Sequence, residues 1–194
     1  MSRTITLDEA RTTGAVVTIH RRALGRDTDL LDGVVLATGA WTLVGSLTDV
    51  VHTDGYEAIR TDDVTRVHRA RRSNQRFVER AGSGLGTWPV PLPDLAVDLA
   101  SVDGVVRSVA RASRLLAVQA EGASPGAYFP GAVEELTDEG LSLWFLDTAG
   151  HWEVAPKWFG LDELTRVSWG SRYLDTFDRF GDSPPFEPFP PSDR

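Results

Sequence analysis

Short apolar runs recur along this chain, separated by turns rich in glycine, aspartate and threonine, and few of them are long enough for a helix. "GAVVTIHRR" (14–22) is rich in β-branched residues and opens on glycine, which predicts a strand; "SRLLAVQAEG" (113–122) reads the same way. Two longer stretches, "DGVVLATGAWTLVGSL" (32–47) and "PGAVEELTDEGLSLWFLD" (130–147), each hold two apolar runs. A turn signal breaks each of them, "TGA" at 38–40 and "TDEG" at 137–140, which is the pattern of a hairpin. Within "LSLWFL", Leu141, Leu143 and Phe145 alternate with Ser142 and Trp144 at the period of a pleated strand. If Leu143 and Phe145 face a core, Trp144 faces away from it.

Helical spacing is rarer. "ASVDGVVRSVARAS" (100–113) places Val102, Val105, Val106 and Val109 on one face with Ser101 as N-cap, and "TLDEARTTG" (6–14) is a shorter counterpart. Each leads into a strand. Near the end, Tyr173, Phe177 and Phe180 share one helical stripe.

These features repeat. "DVTRV" at 63–67 returns as "ELTRV" at 163–167, the strands beginning at Ala15 and Leu115 keep the same offset of one hundred, and so do Phe77 and Phe177. Features in one order, several at one offset, predict an internal duplication. The second copy has extra residues around "PKWF". The expected organisation is a first unit over 1–81, a Gly/Pro linker over 82–93, a second unit over 94–180 and a Pro-rich tail over 181–194. Its prolines read the tail as disordered or polyproline II, and its "PFEP" and "PFPP" as a minor candidate ligand for an aromatic groove.

A short helix followed by about five short strands resembles the Sm-like and SH3-like small barrels. In the first unit the resemblance rests on the leading helix, "AVVTIHRR", "LDGVVLATGAWTLVGSL" and "GYEAIRTDDVTRV". In the second it rests on "RLLAVQAE", "PGAVEELTDEGLSLWFLD" and "GLDELTRV". The implied fold class is mainly β with short helices: two tandem small β-barrels, each preceded by a helix. Sm-like proteins form rings through edge strands and hold RNA with an aspartate–apolar–asparagine loop and an arginine–glycine turn. Here "TDVVHTDGY" has Asp49 and Asp54 without asparagine, and "TRVHRA" and "TRVSWG" lack the Arg-Gly step, so no RNA-binding residue carries over. Barrels of this size are marginal alone and leave edge strands to cover, which predicts packing of the units or a homodimer.

Composition narrows the chemistry. The 194 residues are 41% apolar and 25% charged and include no cysteine, which excludes disulfides, thiolate metal sites and cysteine nucleophiles. With no secretory pattern at "MSRTITLDEARTTG" and no membrane-length apolar run, a cytoplasmic location is expected, with no membrane partner and no cofactor. Residues 1–90 carry 12 arginines against 11 acids, whereas residues 91–194 carry 8 basic residues against 17 acids, within a total of −8. The acidic half repels a phosphate backbone.

The first half has one basic segment, "RVHRARRSNQRFVER", holding Arg66, Arg69, Arg71, Arg72, Arg76 and Arg80 with Phe77 as a stacking residue. Two readings stand. In the favoured one the arginines pair with an acidic protein face such as Glu134, Glu135, Asp138 and Glu139, in a neighbouring unit or chain; in the other they bind RNA or another single-stranded nucleic acid. The aromatics Trp144, Trp152, Trp158, Trp169 and Tyr173, with Phe159, are read as a seam between units or as a ligand groove. His20, His52, His68 and His151 are widely spaced and read as structural or solvated. Asp62 and Asp63 are neighbours whose side chains diverge on a strand, Asp63 and Glu163 are read as turn caps or partners of Arg66 and Arg166, and "GSGLG" reads as linker. The expectation is a non-enzymatic binding or assembly protein whose partner is a protein or a second copy of itself.

Overall fold

The computed structural model describes residues 3–21, 30–48 and 51–187. The fold is mainly β: among the described residues there are eleven strands and four α-helices, and the strand pairings within each unit are antiparallel. The chain divides into two compact units, Met1–Asp94 and Leu95–Arg194. No helix among the described residues is long and apolar enough to cross a membrane.

The first unit runs β1 (Arg3–Ile5), α1 (Leu7–Thr13), β2 (Val16–Arg21), β3 (Leu30–Thr38), β4 (Trp41–Thr48), β5 (His52–Arg60), a 3-10 turn (Thr61–Asp63), β6 (Val64–Arg69) and α2 (Arg72–Leu85). Its ladder order is β1-β6-β2-β3-β4-β5. The second unit runs α3 (Val102–Ala112), β7 (Leu116–Gln119), β8 (Phe129–Leu136), β9 (Gly140–Phe145), β10 (Lys157–Gly160), β11 (Arg166–Trp169) and α4 (Arg172–Phe180). Its order is β11-β7-β8-β9-β10. Apart from β1, the two units share one sequence of elements and one order of pairing.

The agreement extends to irregularities. Val35 pairs with Val44 and Ala37 with Leu43, so Leu36 is unmatched; Val133 pairs with Leu143 and Glu135 with Ser142, so Glu134 is unmatched. Each bulge kinks the first strand of its hairpin at the same place. Three residues before each unmatched position stands a glycine, Gly33 or Gly131, where a Cβ would collide with the backbone of the facing strand. Only glycine permits that approach.

Neither unit is the closed barrel that the small-barrel resemblance implies. Among the described residues no pairing joins the two ends of either ladder, and each unit is an open sheet. One face of the first sheet packs Val17, Ile19, Leu31, Val35, Val44, Ile59 and Val67 with Ala10 of α1. The opposite face packs Val16, Val34 and Leu47 under Val78 of α2, with Trp88 and Val90 beside them. In the second unit Leu115, Ala117, Ala132 and Leu146 pack under Leu174 and Phe177 of α4, with Trp152 and Phe186 beside them.

Local chemistry explains the helices. Ser101 caps α3 by accepting from the Gly104 N–H at 3.0 Å, and Val105, Val106 and Val109 are fully buried, as their spacing predicts. In α4 the buried stripe is Leu174 and Phe177, while Tyr173 is 46% and Phe180 82% exposed, so the predicted Tyr173–Phe177–Phe180 stripe is rotated by about one residue. Phe77 is likewise not the counterpart of Phe177, because Val78 takes the buried place in α2.

The segment limits also move. Gly82–Leu85, read from composition as linker, are the last turn of α2, and "PKWF" is not a loop insertion but contains the start of β10, paired with β9. The tail is described to Glu187, with Phe186 packed against the second unit's core, and residues 188–194 lie outside the described residues.

Gln75 ties α2 to the sheet. The residue is only 7% exposed; Oε1 accepts from the Val16 N–H at 2.7 Å, and Nε2 donates to Glu79 Oε1 at 2.8 Å. Gln75→Leu keeps the size but strands the Val16 donor. The expected loss is about 1–3 kcal/mol, read as a lower guanidinium midpoint with an unchanged slope.

Candidate functional site

The basic segment begins where β6 ends. Arg66 stands opposite His20, and Arg69 opposite both Val17 and Arg3. Arg71 precedes α2 without capping it through its side chain, and Arg72, Arg76 and Arg80 follow at intervals of four along the helix. Among the described residues none of these six arginines forms an ion pair or hydrogen bond with a carboxylate. The α2 carboxylate, Glu79, is engaged by Gln75. The Arg80 guanidinium lies 6.0 Å from the Phe77 ring centroid, and Phe77 is 49% exposed. The segment is thus an exposed face of uncompensated guanidiniums with one aromatic on it.

Two hollows flank this segment. One, of about 330 Å³, is lined by Arg3, Arg69, Ala70, Arg71, Arg72 and Gln75, and no acidic side chain lines it. Arg3 itself is paired with Glu9 at 3.3 Å. The other, of about 340 Å³, opens between the sheet and α2. His68, Thr18 and Asp32 cross its floor as a row on three adjacent strands, with Arg71 and Asn74 on the helix side and Val16, Leu47 and Val78 as its apolar wall. Thr18 donates to Asp32 at 2.5 Å, and the His20 and His68 rings meet edge to face with centroids 5.1 Å apart.

Spacing along the chain does not reveal the histidine pair. His20 and His68 are 48 positions apart, and only the β2–β6 register brings them to one face. His52 and His151 are both exposed. Among the described residues no group of three or more His, Cys, Asp or Glu is placed to hold a metal ion.

The aromatic candidates of the second unit do not form one groove. Trp169 is buried on β11, Trp158 is half exposed beside Gly140 on β10, and Tyr173 contacts Tyr128 and Phe177. Trp144 and Trp152 come together, and Phe186 is what joins them. Its ring stacks on Trp144 at 5.1 Å and 9°, and meets Trp152 edge-on at 5.2 Å and 88°. Glu134, the unmatched bulge residue, accepts from Trp144 Nε1 at 3.0 Å and from the Ser142 hydroxyl at 2.6 Å, which fixes the indole. A separate set packs Phe129 against Phe145 and Phe159, with Lys157 Nζ 4.1 Å from the Phe129 ring centroid.

Trp152 is presented by a turn. Asp147 accepts from the Ala149 and His151 N–H groups at 2.8 and 2.9 Å, and Leu146 and Trp152 bridge across the turn. The His151 N–H bond, ahead of the Ala149 bond, holds the Asp147 carboxyl below its ordinary value, against a smaller opposing effect of desolvation. A lowered carboxylate pKa stabilises the fold above the ordinary aspartate range and loses that contribution as pH falls through the folded value. Asp147→Asn should therefore lower the melting temperature at neutral pH, and the gap to the unmodified chain should close in acid; thermal melts across pH check it. A gap that persists in acid would show that the charge is not what the turn uses.

Family models, curated proteins and solved structures yield no match to this chain.

Proposed function

We propose that the chain is a non-enzymatic binding protein made of two tandem, duplicated open-sheet modules, and that its first module docks an acidic protein face. The repeat of helix, five-strand ladder and trailing helix, with matched bulges and glycines, supports the duplicated reading. The observation that carries the docking reading is the set of six arginines without carboxylate partners among the described residues.

Guanidiniums spaced by one helical turn suit separate carboxylates on a protein surface, where charge complementarity steers encounter and fixes register. A protein of net charge −8, with 17 acids in residues 91–194, is repelled by a continuous polyphosphate unless the basic face dominates locally. An acidic face of a second copy is within this reading, since those 17 acids face only 8 basic residues.

Phe77 favours a second reading. An exposed aromatic beside Arg80 is a platform on which a base stacks, so single-stranded nucleic acid remains the rival occupant of the same face.

Labelled polyglutamate and labelled oligouridylate, titrated against the full chain at low and high salt, separate the two. Polyglutamate binding that weakens with salt, and weakens about tenfold or more in the Arg71→Glu/Arg72→Glu double variant, is expected. Tighter, salt-steep binding of oligouridylate would replace the first reading with the second. Indifference of both probes to salt and to the double variant would remove the arginine face from the function.

A further inference from the structure

We propose that the Trp144–Trp152 groove of the second unit is a receptor for a proline-flanked phenylalanine peptide of a partner protein, and that Phe186 occupies it in cis. The proposal is independent of the arginine face. It rests on how the chain's own segment sits in the groove, because that segment displays the ligand chemistry.

The groove is built without its occupant. Glu134 holds the Trp144 indole in place and is itself anchored by Ser142, and the Asp147 turn delivers Trp152. The occupant enters through its backbone. The Asp182 N–H donates to the Gly150 carbonyl at 2.9 Å, and the Asp182 carbonyl accepts from Trp152 Nε1 at 2.9 Å. Any extended peptide can offer the same two groups, so this end of the site reads no side chain.

Selectivity comes four residues later. Phe186 lies flat on one indole and edge-on to the other, a geometry that a planar ring satisfies and an aliphatic side chain does not. Pro184 and Pro185 precede it. They lack N–H groups and restrict the backbone, so a segment of this type reaches the groove with little conformational entropy left to lose. The recognised pattern is an extended backbone, two prolines and a phenylalanine.

The cis occupant is held lightly. Phe186 is half-buried, and among the described residues the backbone of Ser183–Glu187 makes no hydrogen bond that would fix it to the unit. A competing peptide needs to displace one ring and two backbone bonds. Its apparent affinity is reduced by the fraction of time the groove is filled, so the segment acts as a built-in competitor.

The test uses the full chain and a fluorescent Asp-Ser-Pro-Pro-Phe-Glu peptide, the sequence of residues 182–187. Phe186→Ala should bind this peptide about tenfold or more tightly than the unmodified chain, and the same peptide with alanine for phenylalanine should not bind. Trp144→Ala added to Phe186→Ala should abolish binding. Circular dichroism verifies folding; should Phe186→Ala unfold, Pro184→Gly/Pro185→Gly keeps the ring, loosens its delivery and should also raise peptide affinity. A folded Phe186→Ala chain without peptide binding, or a folded Pro184→Gly/Pro185→Gly chain no tighter than the unmodified one where Phe186→Ala fails, overturns the proposal and leaves Phe186 a core residue. Concentration-dependent dimers that vanish in Phe186→Ala would identify a second copy as the occupant and equally overturn the reading of a separate partner.

Discussion

The strand that follows the leading helix of each unit is apolar on both faces. Val16 and Val17 are both buried in β2, and Leu115, just before β7, and Leu116, its first residue, are both buried as well. A strand of this kind needs a layer above and a layer below, because neither face can be left to water. In the first unit α1 provides one layer by burying Ala10 against Val17 and Ile19. The second layer comes only from chain that follows the last strand. That requirement fixes where α2 and α4 lie, and it draws Trp88 and Phe186 back onto the sheets.

The two covering helices meet the requirement differently, and their surfaces differ as a result. In α4 a leucine and a phenylalanine are buried, so nonpolar area holds the helix down. The buried residues of α2 are Gln75, Val78 and Gly82, which offer little area, and the helix is held partly by the polar grip of Gln75 on Val16. A thin buried stripe leaves a wide exposed surface. Arg72, Arg76 and Arg80 occupy it at intervals of one turn, where like charges cost about 0.2–0.5 kcal/mol per pair. No carboxylate among the described residues forms an ion pair with them. A helix with modest burial that also carries mutually repelling charges is more stable with an anion on it than without.

Elements set by local pattern were legible in the sequence. Ser101 and the valines of α3, the hairpin breaks at 38–40 and 137–140, and both Thr-Arg-Val strands lie where spacing and turn chemistry predict. The failures concern information that pattern does not hold. Leu174 rather than Tyr173 faces the sheet, because rotation about a helix axis is decided by what the helix covers. His20 meets His68 through a strand register, which no periodicity within either strand encodes. The tail was legible as proline-rich and Trp144 as outward-facing, but their meeting depends on α4 ending beside Gly150. The six arginines are legible as a group in the sequence; that no carboxylate among the described residues pairs with them is a three-dimensional fact.

In the proposed reading, covering the second face and recognising a partner fall to the same residues, which couples the two. The hollow formed by Arg69, Arg71 and Arg72 sits at the junction of β6 and α2, next to Gln75. An anion there touches the sheet and the helix at once, so it binds the docked helix and has nothing comparable to bind when α2 is released. By mass action, such a ligand adds its binding free energy to the docking of α2 and stabilises the layer over Val16 and Val34. In the second unit the sign is reversed for a peptide that enters between Trp144 and Trp152, since it must first remove Phe186 from the layer over Ala132 and Leu146. Under the two proposals, one scaffold yields a surface whose ligand tightens the fold and a groove whose ligand competes with it, and the difference follows from whether the covering segment presents its charges outward or inserts its own ring.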